Sequence, residues 1–141
     1  MPALYAAKRL ADSHANTETQ LALAELIDDG ALARHVRRLV RVYGGRREAL
    51  LAAIERHLGD AVEVVPSSAG LHLSLHFRDR RLDADGVARR ALEAGVTVQP
   101  LSPYYQKHAR SGLALGYGLI PEGRIAEGVR RLARACAAEA G

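Results

Sequence analysis

The spacing of hydrophobic positions along the chain first predicts helices. Apolar residues recur three and four apart in two short stretches, Leu4–Ala11 and Thr17–Ile27, and then in a long stretch, Ala31–Leu58. Gly44 and Gly45 lie inside the long stretch, and each costs about 1 kcal/mol in a helix interior. We therefore expect a bend or a two-part helix there. The apolar side of this helix is predicted to consist of Leu32, Val36, Leu39, Tyr43, Leu50, Ile54 and Leu58.

Further along, the spacing changes and short strands alternate with helices. Val62–Val65, "VEVV", is predicted to be a short strand, and Leu71–Phe77 alternates strictly, with His72, Ser74 and His76 on the polar face. Two more strands are predicted in "VTVQP" and "LALGYGLI". Between and after them, two helices are predicted to turn inward Val87, Ala91 and Leu92, and then Ile125, Val129, Leu132 and Cys136.

The residues that begin and end helices agree with these positions. Ser, Thr, Asn and Asp cap helix N-termini, proline suits a first turn, and glycine ends helices. The capping candidates are Asn16 or Thr17, Gly30, Asp83, Gly95 and Pro121. The sequence thus predicts one domain with lead-in helices (1–30), a long helix (31–58) and a small α+β part (59–141). Its fold class is α+β, with a small, mostly antiparallel sheet of about four strands packed against helices.

The two histidines of the alternating strand raise the question of a metal site. Along a strand, His72 and His76 are about 13 Å apart, whereas zinc binds each nitrogen at about 2 Å. The single cysteine, Cys136, lies far away in a helical pattern. We expect no shared metal and interpret both histidines as marking the solvent side of the strand.

Cysteine content and apolar runs bear on the compartment. One cysteine permits no internal disulfide and suits a reducing cytosol. No apolar run approaches the length of a membrane span, and the N-terminus lacks the apolar core of a signal peptide. We expect a cytoplasmic protein that does not enter a membrane.

The charge is +4, and of the 20 basic residues only Lys8 and Lys107 are lysines. Four arginines share one side of the long helix at helical spacing, and a pair follows them in the sequence: Arg34, Arg37, Arg38 and Arg41, then Arg46 and Arg47. Such an arginine stripe can bind phosphates, so a free-standing basic nucleic-acid-binding protein is one alternative. The other interpretation is a solvated helix face with arginines paired to nearby acids.

Motifs of catalysis are weak in this sequence. "SSAG" lacks the spacing of a nucleophile elbow, so Ser67 and Ser68 are interpreted as turn formers. The glycines of "GLALGYGLIPEG" fit neither a dinucleotide nor a Walker pattern, and close backbone packing explains them better. Tyr104 and Tyr105 form an aromatic pair that suits either a binding loop or a small satellite cluster.

Taken in order, the motifs resemble a known family. "AAKRLADSHANTETQLALAELIDDGALARHVRRLVRVYGGRREALLAAI", "AGLHLSLHF", "GVTVQPLSPYY", "GLALGYG" and "IAEGVRRLA" resemble the C-terminal part of the aminotransferase-like domain in MocR-type regulators of the GntR family. The resemblance covers about residues 6–135. It implies the small C-terminal domain of a fold-type I, pyridoxal-phosphate-dependent protein, with an upstream winged-helix DNA-binding domain.

The resemblance also implies that the cofactor site lies elsewhere. In the family, a lysine in a large domain holds pyridoxal phosphate covalently and an aspartate contacts its ring nitrogen. That lysine would precede Met1, and neither Lys8 nor Lys107 matches it. The cofactor is therefore implied for the complete parent, and none is expected in this chain, which should not catalyse a reaction alone. The expected partners are the missing large domain, a second copy in a homodimer, and DNA only through the upstream domain.

One position departs from the aminotransferase pattern. Aminotransferases of this fold commonly carry a substrate-binding arginine on the strand that matches "LALGY", and Ala114 stands there. Arg110 is a candidate substitute, and Tyr105 is a second candidate substrate-binding residue. A true aminotransferase of class I or II remains an alternative parent, although Ala114 argues against it.

Overall fold

The computed structural model describes residues 2–11, 16–68, 70–105 and 110–141. It divides into two compact units, Met1–Val40 and Arg41–Gly141. The predicted parts, residues 1–30, 31–58 and 59–141, follow the secondary-structure elements and stay a prediction.

The first unit contains two short helices, α1 (Pro2–Ala11) and α2 (Thr17–Asp28). Asn16 caps α2 as predicted, because its side chain accepts a hydrogen bond from the Thr19 backbone N–H at 3.1 Å. Gly30, at φ +71°, ends the helix in the left-handed conformation expected of a glycine there. Neither helix contains a buried residue.

Helix α3 spans Ala31–His57 without interruption, so the predicted two-part helix is wrong. A Cβ atom at Gly45 would lie 3.0 Å from Glu122 Oε2, the end of a flexible side chain, and a Cβ atom at Gly44 would meet nothing within 4 Å. Of the predicted apolar side, Leu50, Ile54 and Leu58 are buried, and α3 also buries Ala53. Leu32 and Val36 were also predicted to face inward, and they are exposed.

The second unit is built on a four-stranded sheet of order β1-β2-β4-β3, in which every pair is antiparallel. Its strands are β1 (Val62–Val64), β2 (His72–Phe77), β3 (Gln99–Pro100) and β4 (Gly112–Gly116). Short 3-10 turns cover Gly59–Ala61 and Ser102–Tyr104. The predicted α+β fold is therefore confirmed. The third strand is shorter than predicted, because only Gln99 and Pro100 pair with β4.

Two helices pack on one face of this sheet, α4 (Ala84–Glu93) and α5 (Glu122–Ala140). Asp83 caps α4 by accepting from the backbone N–H groups of Asp85 and Gly86. The inward residues of α5 are buried as predicted: Ile125, Val129, Leu132 and Cys136. Leu92 was predicted to be buried and is 62% exposed, because α4 turns inward the stripe Ala84, Val87 and Ala91.

The core lies between these helices and the inner face of the sheet. Its sheet side consists of Leu73, Leu75, Phe77, Leu113 and Leu115, all buried. Each such side chain contributes about 1.5–3 kcal/mol by leaving water. Since strand side chains alternate between faces, the other face of the same strands remains outside this core.

Candidate functional site

The outer sheet face is the side of the sheet turned away from the core, and it carries the polar residues of the pattern. Strand pairing places them in three rows: Glu63, His76 and Gly112; Gln99, Ser74 and Ala114; and His72 with Gly116. The contribution of β4 is therefore only glycine and alanine. β4, which lies between β2 and β3, therefore places no long side chain on this face.

Ala114 lies at the centre of this face. Ser74 of β2 pairs with it on one side and Gln99 of β3 on the other. Both neighbours are uncharged hydrogen-bonding side chains. The position thus offers a hydroxyl and an amide, and no fixed positive charge.

Arg110 and Glu63 meet at one end of the face. Arg110 Nη2 donates to Glu63 Oε2 at 2.8 Å, and both side chains are about half exposed. The Arg110 guanidinium, through this hydrogen bond and then through its charge, lowers the pKa of the Glu63 carboxyl, and the charge of Arg78 adds to the effect. The sequence-predicted Arg110 is therefore held by an internal carboxylate.

His76 lies in the same row and is 7% exposed, so the prediction that it marks the solvent side is wrong. Its Nε2 lies 3.4 Å from the Tyr105 hydroxyl, and the two rings are 6.3 Å apart. The imidazole also lies against β4, where a Cβ atom at Gly112 would be 2.8 Å from Nδ1. Tyr105 and Gly112 thus account for part of its burial.

The second ring nitrogen of His76, Nδ1, is buried. Within the described part of the chain, Nδ1 has no hydrogen-bond partner. Leaving such an atom buried costs about 1–3 kcal/mol. A buried imidazole with one unpaired nitrogen is the kind of group that stability alone does not explain.

Both sequence-predicted site residues, Arg110 and Tyr105, therefore attach to one row of the outer sheet face. Of their anchors, His76 was considered from the sequence only as a metal ligand, and Glu63 was not considered. Glu63 lies between Val62 and Val64, and its pairing with His76 depends on strand register.

His72 lies apart from His76. It pairs with Gly116, where a Cβ atom would be 3.4 Å from the imidazole, and it is exposed. No group of three metal-ligating side chains occurs among the residues that the structure describes.

The arginine stripe serves the fold in part. Arg34 donates to the Asp29 carbonyl at 3.0 Å and Arg47 to the Ser67 carbonyl at 2.6 Å. Arg46 donates to the Gly118 carbonyl and lies over the Tyr43 ring. Half of the stripe is thus committed to internal contacts.

An apolar groove of about 500 Å³ opens beside residues 96–98 and the start of α5. Leu115, Ile120 and Ile125 are among its lining residues. It includes neither Arg110 nor Tyr105, so it is separate from the candidate site.

The two lysines of the sequence are the candidates for a covalent link to pyridoxal phosphate. Lys8 lies on α1, a helix with no buried residue, and Lys107 lies outside the described residues. A covalent cofactor needs a lysine together with groups that hold its ring and phosphate. The outer sheet face has hydrogen-bonding groups but no lysine.

Comparison with known proteins then places the chain. No protein-family model matches it. It is 32% identical over 123 residues to the uncharacterized HTH-type transcriptional regulator YhdI of Bacillus subtilis, covering 86% of this chain and 26% of that protein. It is 34% identical over 114 residues to the probable rhizopine catabolism regulatory protein MocR of Rhizobium meliloti, covering 80% of this chain and 23% of that protein. The chain is a homologue of the C-terminal region of MocR-type regulators and aminotransferases.

Enzymes are found beside the regulators. The 2-aminoadipate transaminase of Thermus thermophilus is 33% identical over 133 residues, which are 94% of this chain and 33% of the enzyme. The chain thus spans about a quarter to a third of the length of these curated relatives.

Solved structures of aminotransferases have the same fold. LysN, the alpha-aminoadipate aminotransferase of Thermus thermophilus complexed with N-(5'-phosphopyridoxyl)-L-leucine, matches with a TM-score of 0.82 and 32% identity, over 95% of this chain and 34% of that chain. The kynurenine aminotransferase of Pyrococcus horikoshii matches with a TM-score of 0.86 and 26% identity, over 96% and 33%. Both are fold-type I aminotransferases, as the sequence motifs indicated.

Homology to the aminotransferase-like region accounts for the fold, and it implies pyridoxal phosphate in the complete protein. Among the described residues, none of the helices combines the length and the apolar character that crossing a membrane requires.

Proposed function

We propose that the chain is the C-terminal lobe of the effector-binding half of a MocR-type transcriptional regulator. In the complete protein, a preceding large domain holds pyridoxal phosphate, and an upstream winged-helix domain binds DNA in the cytoplasm. The lobe contributes one wall of the effector site, and ligand binding shifts its position in a way that the DNA-binding domain senses.

Ala114 is the observation that favours a transcriptional regulator over an aminotransferase as the complete protein. Sequence identity does not separate the two classes, since MocR and the 2-aminoadipate transaminase are 34% and 33% identical to this chain. A transaminase of this fold is expected to grip the substrate carboxylate with an arginine at this position. An alanine between Ser74 and Gln99 cannot form that bidentate pair.

The outer sheet face is the part of this chain proposed to face the effector. Its chemistry supports that role, because hydrogen-bonding groups converge on bare strand backbone at Ala114. We propose Arg110 and Tyr105 as ligand-contacting residues, since both reach this face through described contacts.

The exposed apolar residues of the first unit support packing against other protein. Leu4, Leu10 and Leu21 are each more than 60% exposed. Apolar surfaces of this kind commonly mark interaction sites. We propose that the large domain and a second copy of the protein, in a homodimer, cover them.

The cofactor assignment is tested on the chain itself. The purified chain is incubated with pyridoxal phosphate, its absorbance is recorded, and borohydride reduction is followed by mass analysis of any labelled lysine. A chain that lacks the cofactor-binding domain should give no stoichiometric adduct once a competing amine is added. The 2-aminoadipate transaminase of Thermus thermophilus, treated in parallel, serves as the positive control.

A stoichiometric adduct at Lys8 or Lys107 that resists the competing amine would contradict the proposal. It would mean that the chain is a complete cofactor-binding unit. A Lys8→Arg variant would then identify which lysine reacts.

A further inference from the structure

We propose that Glu63 determines ligand specificity, because it occupies the Arg110 guanidinium with an internal carboxylate that a ligand carboxylate must displace. The ligand class that follows is a small carboxylate-bearing molecule bound at the Arg110 end of the outer sheet face. The inference deepens the proposed function and rests on it, since it takes this face as the ligand side.

The ion pair is built so that it can be exchanged. One contact joins Arg110 Nη2 to Glu63 Oε2, and both side chains remain about half exposed. A guanidinium has five N–H donors and favours two parallel bonds to one carboxylate. Arg110 therefore retains donors that an incoming carboxylate can use.

When Arg110 leaves the ion pair, the Glu63 carboxylate still has a positively charged neighbour. Arg78 also acts on the Glu63 carboxylate through its charge. Glu63 keeps this positive neighbour when Arg110 moves. The exchange thus replaces one solvent-exposed ion pair by another, which in water is a small change.

Space for the ligand exists along β4. Arg110 precedes Gly112, Ala114 and Gly116 at every second position, so all four point to the same face wherever the strand is extended. Three of them carry no side chain beyond Cβ. The His76 ring lies against Gly112 and the His72 ring against Gly116, so the room for a ligand is at Ala114 and on the solvent-exposed side of Arg110.

The position of the guanidinium also restricts the ligand. The guanidinium contacts Glu63 on β1, and β2 lies between β1 and β4, so it is two strand spacings, about 10 Å, across the sheet from the strand that carries Ala114. A carboxylate held by Arg110 therefore lies away from the place where an aminotransferase arginine would hold one. The site is expected to accept ligands whose carboxylate is distant from the group that contacts Ser74 and Gln99.

The test measures carboxylate binding at Arg110 directly. The ¹⁵N-labelled chain is titrated with acetate against chloride at constant ionic strength, and the Arg110 Nε–Hε resonance is followed by NMR. In Glu63→Gln, the acetate concentration for half-maximal shift should fall two- to fivefold, about the factor that an exposed ion pair supplies. Glu63→Asp, which keeps a carboxylate, should restore most of the wild-type value.

Two further variants are the controls. Arg110→Gln assigns the resonance by its loss and should remove the acetate response. Glu127→Gln removes a carboxylate that pairs with Arg130 and Arg131 on α5, away from the sheet. This variant should leave the response of Arg110 unchanged.

Equal half-saturation in the wild type and Glu63→Gln would overturn the inference, as would an Arg110 resonance that no acetate concentration shifts. The same spectra report whether each variant is folded. The titration uses neither pyridoxal phosphate nor DNA, so a negative result here does not bear on the cofactor experiment. If the cofactor experiment contradicts the proposed function, the effect of Glu63 on acetate binding can still be measured.

Discussion

The two compact units of the chain differ in what they bury. In the described part of Met1–Val40 no residue is buried, and apolar side chains such as Leu10 and Leu21 lie open. Among the described residues of Arg41–Gly141, nineteen buried hydrophobic residues form one cluster between the sheet and its helices. The same helical spacing of apolar residues therefore goes with exposed side chains in the first unit and with buried side chains in the second.

The difference shows that an amphipathic pattern predicts a helix but does not say what covers it. The pattern of α5 is satisfied within the chain, whereas that of α2 is not. Most helical stability in proteins comes from packing of the apolar face, and no described residue of α1 or α2 is buried. This is the behaviour expected of a lead-in segment that belongs against another domain.

The largest contrast is expected from truncating one leucine in each unit. Leu132→Ala removes a side chain that is 2% exposed and should lower the free energy of unfolding by about 2–5 kcal/mol. Leu21→Ala changes a residue that is 66% exposed and should cost less than about 0.5 kcal/mol. Urea unfolding followed by circular dichroism measures both. Equal losses would show that the first unit has a core.

A second contrast lies within the second unit, between two glycines. A Cβ atom at Gly112 would collide with the Leu75 carbonyl and the His76 ring, so Gly112→Ala should cost about 1–3 kcal/mol. Gly128 on α5 has open space, and Gly128→Ala should stabilise by about 0.5–1 kcal/mol. Thermal unfolding of the two variants gives the comparison, and a neutral Gly112→Ala would mean that β2 and β4 pack less closely than described.

Helix caps provide a smaller contrast. Asp83 and Asn16 each accept backbone N–H bonds at a helix start, and removing such a cap costs about 1 kcal/mol. Asp83→Ala should therefore lower the global free energy of unfolding. Asn16→Ala should lower only the helicity of α2, seen as local backbone NMR shifts, with the global transition unchanged. A global loss from Asn16→Ala would contradict the difference between the units.

The smallest effect concerns acid stability at the candidate site. Arg110 lowers the pKa of Glu63 below its ordinary 4.5, so the pair contributes stability above that pH and loses it as the pH falls through the folded-state pKa. An NMR titration of the Glu63 carboxyl should show this lowered pKa in the wild type and a return toward 4.5 in Arg110→Gln. An unchanged pKa would show that the pair does not persist in solution.

Much of the fold could be predicted because local signals decide it. Asn16 and Asp83 as caps and the strict alternation around Ser74 follow from short-range chemistry. The failures involve contacts between distant residues. Gly45 lies in an unbroken helix, at a place where the Glu122 side chain of α5 comes close. Leu92 is exposed because Val87 and Ala91 define the buried stripe of α4.

The candidate site was predictable only in part for the same reason. Arg110 and Tyr105 could be nominated from a resemblance, but their anchors depend on strand register. The burial of His76 requires Tyr105, which lies twenty-nine residues away in sequence. A polar alternation places a residue on a face and does not show what lies above it.

Hydrogen exchange of the isolated chain, read residue by residue, tests most directly the claim that this is a lobe awaiting another domain. The account predicts slow exchange, near the global limit, for backbone amides of β2, β4 and α5, and fast exchange throughout α1 and α2. Equal protection of Pro2–Ala11, Thr17–Asp28 and α5 in the monomeric chain would contradict it, because the chain would then be a self-sufficient fold.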